Sequence, residues 1–336
     1  MPVALDVIAG WVRFQAQGCA ELGSPFYAAL LDDVADDVET GGPSAAVLGD
    51  FADETGWSAL ALRLMGSVHR LVLAGEAPAL AARYPSTGGD GDADSAWPDF
   101  RALLSERSDQ VRTLLRRGCQ TNEVGRCAAL VGGFLEVARR TGLPLRILEI
   151  GASAGLNLRW DRYRYEAGEV SWGDRASPVR FTTNFEVPPS FDVEATVAER
   201  RGCDLSPIDA ATDEGSLTLR SFIWADQLER FRLLEGAIDL AGRVPAIVEK
   251  LDAIAFLRRE LSSARADVAT VVYHSVFLQY LDDATREEIS SVIRAAGVSR
   301  LSMEPRGDSW VFEVTLDGRI LGTSGAHGSQ VRWLVS

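Results

Sequence analysis

The stretch Leu145–Asn157, LRILEIGASAGLN, constrains the fold of this chain more than any other segment. Leu145–Ile150 is a short apolar run, which is typical of a parallel strand buried on both faces. Gly151 and Gly155 follow it with only small residues between them, so a ligand or another strand can approach the backbone closely. Because ligands of open α/β sheets bind outside the carboxyl ends of the strands, the stretch predicts a ligand-binding loop in an α/β domain.

The pattern of apolar residues changes at this stretch. Before it, apolar residues recur every three or four positions, as in Pro25–Val38 and Trp57–Ala74, and predict amphipathic helices. After it, short apolar runs alternate with helical patterns, which implies a parallel sheet covered by helices on both faces. Further strands are predicted at Leu217–Trp224, Val244–Val248 and Val268–Tyr273. Asp317 and Gly318 then form the turn signal of a terminal antiparallel hairpin.

These patterns predict two domains. Residues 1–118 form a helical N-terminal domain, interpreted as a lid over the strand ends, and residues 119–336 form an α/β domain. Residues 161–215 fit neither pattern, because they are rich in Gly, Pro and Asp with scattered aromatic residues. We interpret that segment as an insertion that follows the first helix of the α/β domain.

The composition limits the partners of the chain. Its formal net charge of −14 argues against nucleic acid, since binding to phosphates requires a basic face. No segment approaches the roughly 18 consecutive apolar residues of a membrane span. The first residues carry no basic leader, so we expect a cytoplasmic protein that binds no membrane. The four cysteines form no C-x-x-C pair, and no metal site is predicted.

The residues Gly151–Gly155 also spell G-x-S-x-G, the nucleophile elbow of serine hydrolases, with Ser153 as the nucleophile. His274 and His327 follow in the chain order that α/β-hydrolases use. Two features argue against this interpretation. The preceding 144 residues look helical, whereas a hydrolase elbow follows a strand whose neighbours come earlier in the chain. In addition, no H-G-G-G segment precedes the loop to supply an oxyanion donor.

A ligand-binding loop explains more of these residues. The phosphate-binding patterns G-x-x-x-x-G-K-[ST] and G-x-G-x-x-G are both absent. The pattern that starts at Glu149 is instead E-x-G-x-x-x-G, in which Ala152 and Ser153 are small and leave room beside the backbone. Such a loop suits an adenosyl group, because that group carries no phosphate.

Glu149, Gly151, Gly155 and Asn157 resemble the first motif of the class I S-adenosylmethionine-dependent methyltransferases. The resemblance implies a doubly wound, mostly parallel sheet of seven strands with a terminal antiparallel hairpin. It also implies S-adenosyl-L-methionine as cofactor and methyl transfer to a small molecule. As a whole, the chain resembles an uncharacterised bacterial family that carries this domain behind a helical N-terminal region. The segments that carry this second resemblance are QTNEVGRCAAL, LEIGASAGLNLRWDRYRY, RRGCDLSP, VVYHSVFLQYL and AHGSQVRWL.

The resemblance implies further cofactor ligands. These methyltransferases place an acid after their second strand to bind the ribose hydroxyls. With residues 161–215 as an insertion, Leu217–Trp224 becomes that strand and Asp226 the ribose ligand; Asp204 is the alternative. Asp252 falls where the superfamily has an acid beside the adenine. Asn122 lies on a predicted helix that closes over the cofactor in this superfamily.

The catalytic candidates are His274, at the end of the predicted fourth strand, and Tyr280. A histidine there can act as a general base, or it can hold a loop by hydrogen bonds. The candidates for substrate binding are Arg126, Tyr163 and His327. A second hypothesis is a methyltransferase fold without catalysis that serves as a binding or scaffold protein. It is motivated by the displaced second strand and by the absence of an N-P-P-Y segment after strand four.

Overall fold

The computed structural model describes residues 2–52, 59–307 and 310–335. The first two positions of the helix predicted at Trp57–Ala74 lie outside these residues. The chain forms two compact units. The first contains the residues up to Thr121 and the segment Asp213–Phe231, and the second contains Asn122–Thr212 and the residues from Arg232 onward. The segment Asp213–Phe231, which the sequence pattern assigned to the α/β domain, therefore belongs to the first unit.

The helices, in chain order, are α1 (Pro2–Glu21), α2 (Pro25–Glu39), α3 (Pro43–Leu48), α4 (Leu60–Leu73), α5 (Pro78–Ala81), α6 (Ala93–Glu106), α7 (Ser108–Leu115), α8 (Arg126–Thr141), α9 (Asp213–Ser221), α10 (Leu228–Arg243), α11 (Ala253–Glu260) and α12 (Asp283–Ala296). The strands are β1 (Leu145–Ile150), β2 (Arg164–Ala167), β3 (Val170–Gly173), β4 (Arg180–Phe181), β5 (Phe185–Val187), β6 (Val197–Asp204), β7 (Ile247–Lys250), β8 (Ala269–Ser275), β9 (Ser299–Pro305), β10 (Val311–Leu316), β11 (Arg319–Gly325) and β12 (Val331–Trp333). No helix in the described part of the chain is long and apolar enough to cross a membrane.

The first unit is helical, and it corrects one predicted strand. Residues Leu217–Trp224 were predicted as a strand, but most of them lie in helix α9 or directly after it. Arg70 of α4 donates a hydrogen bond to Thr218 at 3.0 Å, and Gly66 of α4 leaves room for the ring of Phe222. Packing of α9 against α4 therefore decides the conformation, since a short apolar run by itself cannot distinguish helix from strand.

The second unit is α/β, with a large and mostly parallel sheet, as predicted. Among the described residues this sheet has nine strands in the order β5-β12-β11-β10-β9-β8-β1-β6-β7. The five strands from β9 to β7 are all parallel, and β10 and β11 form the predicted antiparallel hairpin. The sheet exceeds the predicted seven strands because β12 and β5 extend it past β11. A separate three-stranded sheet has the order β3-β2-β4.

Strand β6 lies beside β1, inside the segment 161–215 that we interpreted as an insertion. Its sequence, VAERRGCD, shows no apolar alternation because its charged side chains are paired with other charged groups. Arg200 binds Asp161, and Arg201 binds Glu249 of the neighbouring strand β7 at 2.6 Å. Ion pairs thus replace the apolar contacts from which a strand is usually recognised.

Helices cover both faces of the parallel strands. On one face, Phe134 of α8 packs edge-on against Tyr273 of β8, with ring centroids 5.0 Å apart. On the other face, Leu148 of β1 belongs to a buried cluster with Phe256 of α11 and Ile289 of α12. This packing holds the strands in place from both faces, and with them the loops that follow their carboxyl ends.

Candidate functional site

The order of the parallel strands reverses at β1. The chain continues from β1 to β6 and β7 on one side, and then returns to β8 and β9 on the other. Loops that leave neighbouring strands in opposite directions open a crevice at the carboxyl edge, where ligands of open α/β sheets bind. The candidate site is therefore the edge formed by the ends of β6, β1 and β8.

The glycine loop after β1 is a tight turn held by its backbone. Gly151, Ser153 and Gly155 all have positive φ, at 71°, 51° and 66°. The Ala152 amide donates to the Cys203 carbonyl of β6 at 3.0 Å. A Cβ on Gly155 would lie 2.5 Å from a methyl group of Val248, so only glycine lets β7 pack here. The small residues of the loop thus serve the close approach of neighbouring strands.

Asp204 is the acid at the end of β6, and it contacts the glycine loop. One carboxylate oxygen accepts a hydrogen bond from the Ser153 amide at 2.9 Å, and the other accepts one from the Ser206 amide at 2.8 Å. Asp204 is therefore the acid at the end of the second parallel strand, a position for which the sequence analysis preferred Asp226 and gave Asp204 as the alternative.

Asp226 itself belongs to the first unit. Its carboxylate accepts hydrogen bonds from the Ser24 hydroxyl at 2.5 Å and from the Phe26 amide at 3.0 Å. It thus holds the first turn of α2, where amides lack helical partners. The prediction that a strand ends just before Asp226 is wrong, because helix α9 occupies the place of that strand.

Glu149 lies near the end of β1, with only 2% of its surface exposed. The Tyr273 hydroxyl of β8 donates a hydrogen bond to it at 2.9 Å. Burial raises the pKa of the Glu149 carboxyl to about 8, because the interior disfavours the charged form. At neutral pH the group is therefore mostly a neutral acid, buried directly before the glycine loop.

Two asparagines predicted as cofactor ligands hold the far end of the glycine loop. The side-chain oxygen of Asn122 accepts from the Leu156 amide at 2.9 Å, and the amide group of Asn157 donates to the Glu123 carbonyl at 3.2 Å. Both asparagines are buried. Asn122 precedes α8, which begins at Arg126, and does not lie within a helix as predicted.

His274 is buried, and both of its ring nitrogens have partners. Nδ1 lies 2.6 Å from a carboxylate oxygen of Glu304, and the guanidinium of Arg300 donates to Nε2 at 3.0 Å. Since a guanidinium has no acceptor, Nε2 is the accepting nitrogen and Nδ1 carries the proton. Neither nitrogen is left to take a proton from a substrate, so these contacts favour the loop-holding alternative for His274.

The loop after β8 brings an aromatic ring onto the glycine loop. The Glu304 oxygen that binds His274 also accepts from the Phe277 amide at 3.0 Å. The Phe277 ring comes within 2.4 Å of where a Cβ on Gly151 would lie, so it fills the space beside that glycine. Sequence analysis missed Phe277, whose only signal is its place three residues after His274. Tyr280 ends the short turn that follows and is 55% exposed.

The three predicted substrate ligands have different surroundings. Arg126 donates to the carbonyl of Ser275, the last residue of β8, at 3.1 Å. His327 lies 3.3 Å from the carboxylate of Glu123. Tyr163 is fully buried and its hydroxyl donates to the carbonyl of Leu156, which favours a core residue over one that lines a pocket. Arg126 thus lies at the end of β8, and Tyr163 is a core residue.

Asp252 follows β7 on the same edge of the sheet. Its carboxylate accepts from the Ala255 amide at 2.9 Å and caps helix α11. The carboxyl edge therefore carries two acids that are not buried, Asp204 and Asp252, on the side of β1 that holds β6 and β7.

A family model described as an uncharacterized protein conserved in bacteria, DUF2332, matches residues 9–333. The chain belongs to the DUF2332 family. The predicted membership of an uncharacterised bacterial family is thereby confirmed. No curated protein and no solved structure matches this DUF2332 chain.

The geometry of the DUF2332 chain also bears on the serine-hydrolase alternative. The positive φ of Ser153 is the strained conformation that a nucleophile elbow requires. However, every other strand of the described sheet follows β1 in the chain, whereas an elbow needs earlier neighbours. His274, the first histidine after Ser153, is bound to Glu304 and Arg300. These observations favour a ligand-binding loop over a nucleophile.

Proposed function

We propose that the carboxyl edge of β6, β1 and β8 binds S-adenosyl-L-methionine. The observation that carries the proposal is the strand order. Numbered in chain order, the five parallel strands run 3-2-1-4-5, the order that begins dinucleotide-binding Rossmann sheets. In those sheets a glycine turn follows the first strand and an acid lies at the end of the second; here Gly151 follows β1 and Asp204 is the last residue of β6. The absence of a dinucleotide glycine pattern favours an adenosyl ligand over a dinucleotide.

Asp204 is the proposed ribose ligand. Each of its oxygens accepts one backbone hydrogen bond, and a carboxylate oxygen can accept a second. Two vicinal hydroxyls could therefore bind without breaking the contact that shapes the loop. Asp252, at the next strand end, is the proposed neighbour of the adenine.

Replacing Asp204 with Asn should weaken the binding of S-adenosyl-L-methionine about tenfold or more. Hydrogen bonds to a charged group contribute about 1.5–3 kcal/mol, and the amide keeps the shape but loses the charge and one of the two oxygens that accept from Ser153 and Ser206. Calorimetry measures the affinity. Asp174→Asn is the matched control, because Asp174 also accepts an amide hydrogen bond two residues ahead but follows β3 of the separate three-stranded sheet. Absence of heat with both the cofactor and its demethylated product in the wild type would contradict the proposal.

The Phe277 ring must move when a ligand enters beside Gly151, since it fills that space. Moving a half-buried aromatic ring into water costs about 1 kcal/mol. Phe277→Ala should therefore tighten binding of the cofactor about fivefold, measured by the same calorimetry. A weaker affinity in this variant would show that the ring contacts the ligand and does not compete with it.

When bound, the cofactor would supply a reactive sulfonium methyl group, and the protein's task is mainly alignment. The net charge of −14 favours a small molecule over a nucleic acid as methyl acceptor. A second candidate is a binding protein without catalysis. It is favoured by His274, whose ring nitrogens are both bound by Glu304 and Arg300. Cell lysate treated with the protein and methyl-labelled cofactor distinguishes the two, because only the first yields a labelled product.

A further inference from the structure

The second unit has a cavity of about 600 Å³ at the start of β7. Its wall is formed chiefly by Arg162, Arg200, Arg201, Arg243, Glu199 and the segment Val244–Ile247. Ile247 is the first residue of β7, whereas the proposed adenosyl site follows the last residues of β1 and β6. The cavity therefore lies at the amino end of β7 and is separate from the carboxyl edge.

The wall of the cavity is rich in arginine. The described residues that line it include four arginines and a single acid. The acids that pair with these arginines, Asp161, Glu249 and Asp239, balance that charge, so guanidinium N–H donors distinguish the wall and not an excess of positive charge. Such donors bind anions, so the wall points to an anionic ligand.

Two of the arginines share one carboxylate. Asp161 lies 3.3 Å from Arg162 and 2.5 Å from Arg200. The Arg200 side chain is 9% exposed, and its buried Nε has no hydrogen-bond partner among the described residues. Arg243 binds Asp239 one turn back on α10, with both side chains exposed. Each guanidinium has five N–H donors, so donors remain for a ligand.

We propose that this cavity binds a small polyanion through Arg162, Arg200 and Arg243. Its volume lies in the range of small-molecule sites, about 300–1,000 Å³. Guanidinium groups bind phosphate and carboxylate groups through paired hydrogen bonds, so either group fits the chemistry. Ile247, which is 51% exposed, offers an apolar surface to the body of the ligand.

Calorimetric titration of the full chain with pyrophosphate and with citrate tests the proposal and distinguishes its two anion types. We expect binding of at least one anion. Arg162→Gln and Arg243→Gln should each weaken it about tenfold, since a charge-assisted hydrogen bond is lost. Both side chains are more than half exposed, so the variants should fold.

Arg258→Gln is the matched control, because Arg258 is equally exposed but pairs with Glu288 away from the cavity. Its affinity for the anion should equal that of the wild type. No binding of either anion at millimolar concentration would overturn the proposal. An equal loss of affinity in Arg258→Gln would also overturn the proposal, because it would show that the anion is attracted by arginines anywhere on the surface. Neither result depends on the adenosyl site.

Discussion

Replacing Gly328 with Ala should lower the free energy of unfolding of the second unit by about 3 kcal/mol or more. Gly328 has a φ of +71°, and a Cβ there would lie 1.9 Å from the carbonyl oxygen of Gly125. The left-handed conformation alone costs a residue with a Cβ about 1–2 kcal/mol. The clash adds about 1–3 kcal/mol, because its partner is backbone that cannot rotate away.

Gly297→Ala is the matched control for this prediction. Gly297 also has a positive φ, at 63°, and ends helix α12, but no described atom beyond its chain neighbours lies within 4 Å of where its Cβ would be. Gly297→Ala should therefore lower the free energy of unfolding by only about 1–2 kcal/mol, the cost of the left-handed backbone conformation. Urea denaturation of the two variants measures both losses. Equal losses would mean that the turn at Gly328 moves away from Gly125 at little cost.

The close packing of Gly328 against Gly125 also positions Arg126, which contacts the end of β8. Arg126 donates to the carbonyl of Ala326 at 3.3 Å, and its second hydrogen bond goes to Ser275 at the end of β8. A displaced turn at Gly328 would pull this arginine from the candidate site. We therefore expect Gly328→Ala to weaken cofactor binding as well as stability.

The parts of the fold that could be predicted are those with local signals. Strand β1 has the predicted bounds, Leu145–Ile150, because its apolar run ends at a glycine turn. The hairpin of β10 and β11 turns at Asp317 and Gly318, where the φ values of 54° and 82° suit that pair of residues. Both signals depend on residues adjacent in sequence.

The parts that could not be predicted depend on distant partners. Strand β6 is stabilised by ion pairs such as Arg201 with Glu249, 48 positions apart, which no local pattern shows. Asp204 was therefore the second choice as the strand-end acid, although it is the one that contacts Ser153. Phe277 could not be placed against Gly151, because that contact requires β8 to lie beside β1.

The stability of the second unit should fall by about 3–4 kcal/mol between pH 5 and pH 8 through Glu149 alone. Burial raises the pKa of this carboxyl from 4.5 to about 8. The fold thus favours the neutral form, so its full stability is present below pH 4.5. The stability then falls as the pH rises toward 8, because the unfolded chain releases the proton at a lower pH than the folded chain. Above pH 8 this contribution to the stability becomes constant. The difference of about 3.5 units corresponds to the stated loss at 1.36 kcal/mol per unit, reduced by partial titration at both limits.

Glu149→Gln removes this dependence, because Gln keeps the oxygen that accepts from Tyr273 but has no proton to release. Urea denaturation at pH 5, 6.5 and 8 should show the variant gaining stability relative to the wild type as pH rises. Glu288→Gln, an exposed carboxyl on α12, is the matched control and should follow the wild type. If the free energies of unfolding of the wild type and of Glu149→Gln changed in parallel from pH 5 to 8, Glu149 would be ionised in the folded chain. In that case the carboxyl next to the glycine loop would carry a charge, and it would become a candidate for direct contact with the ligand.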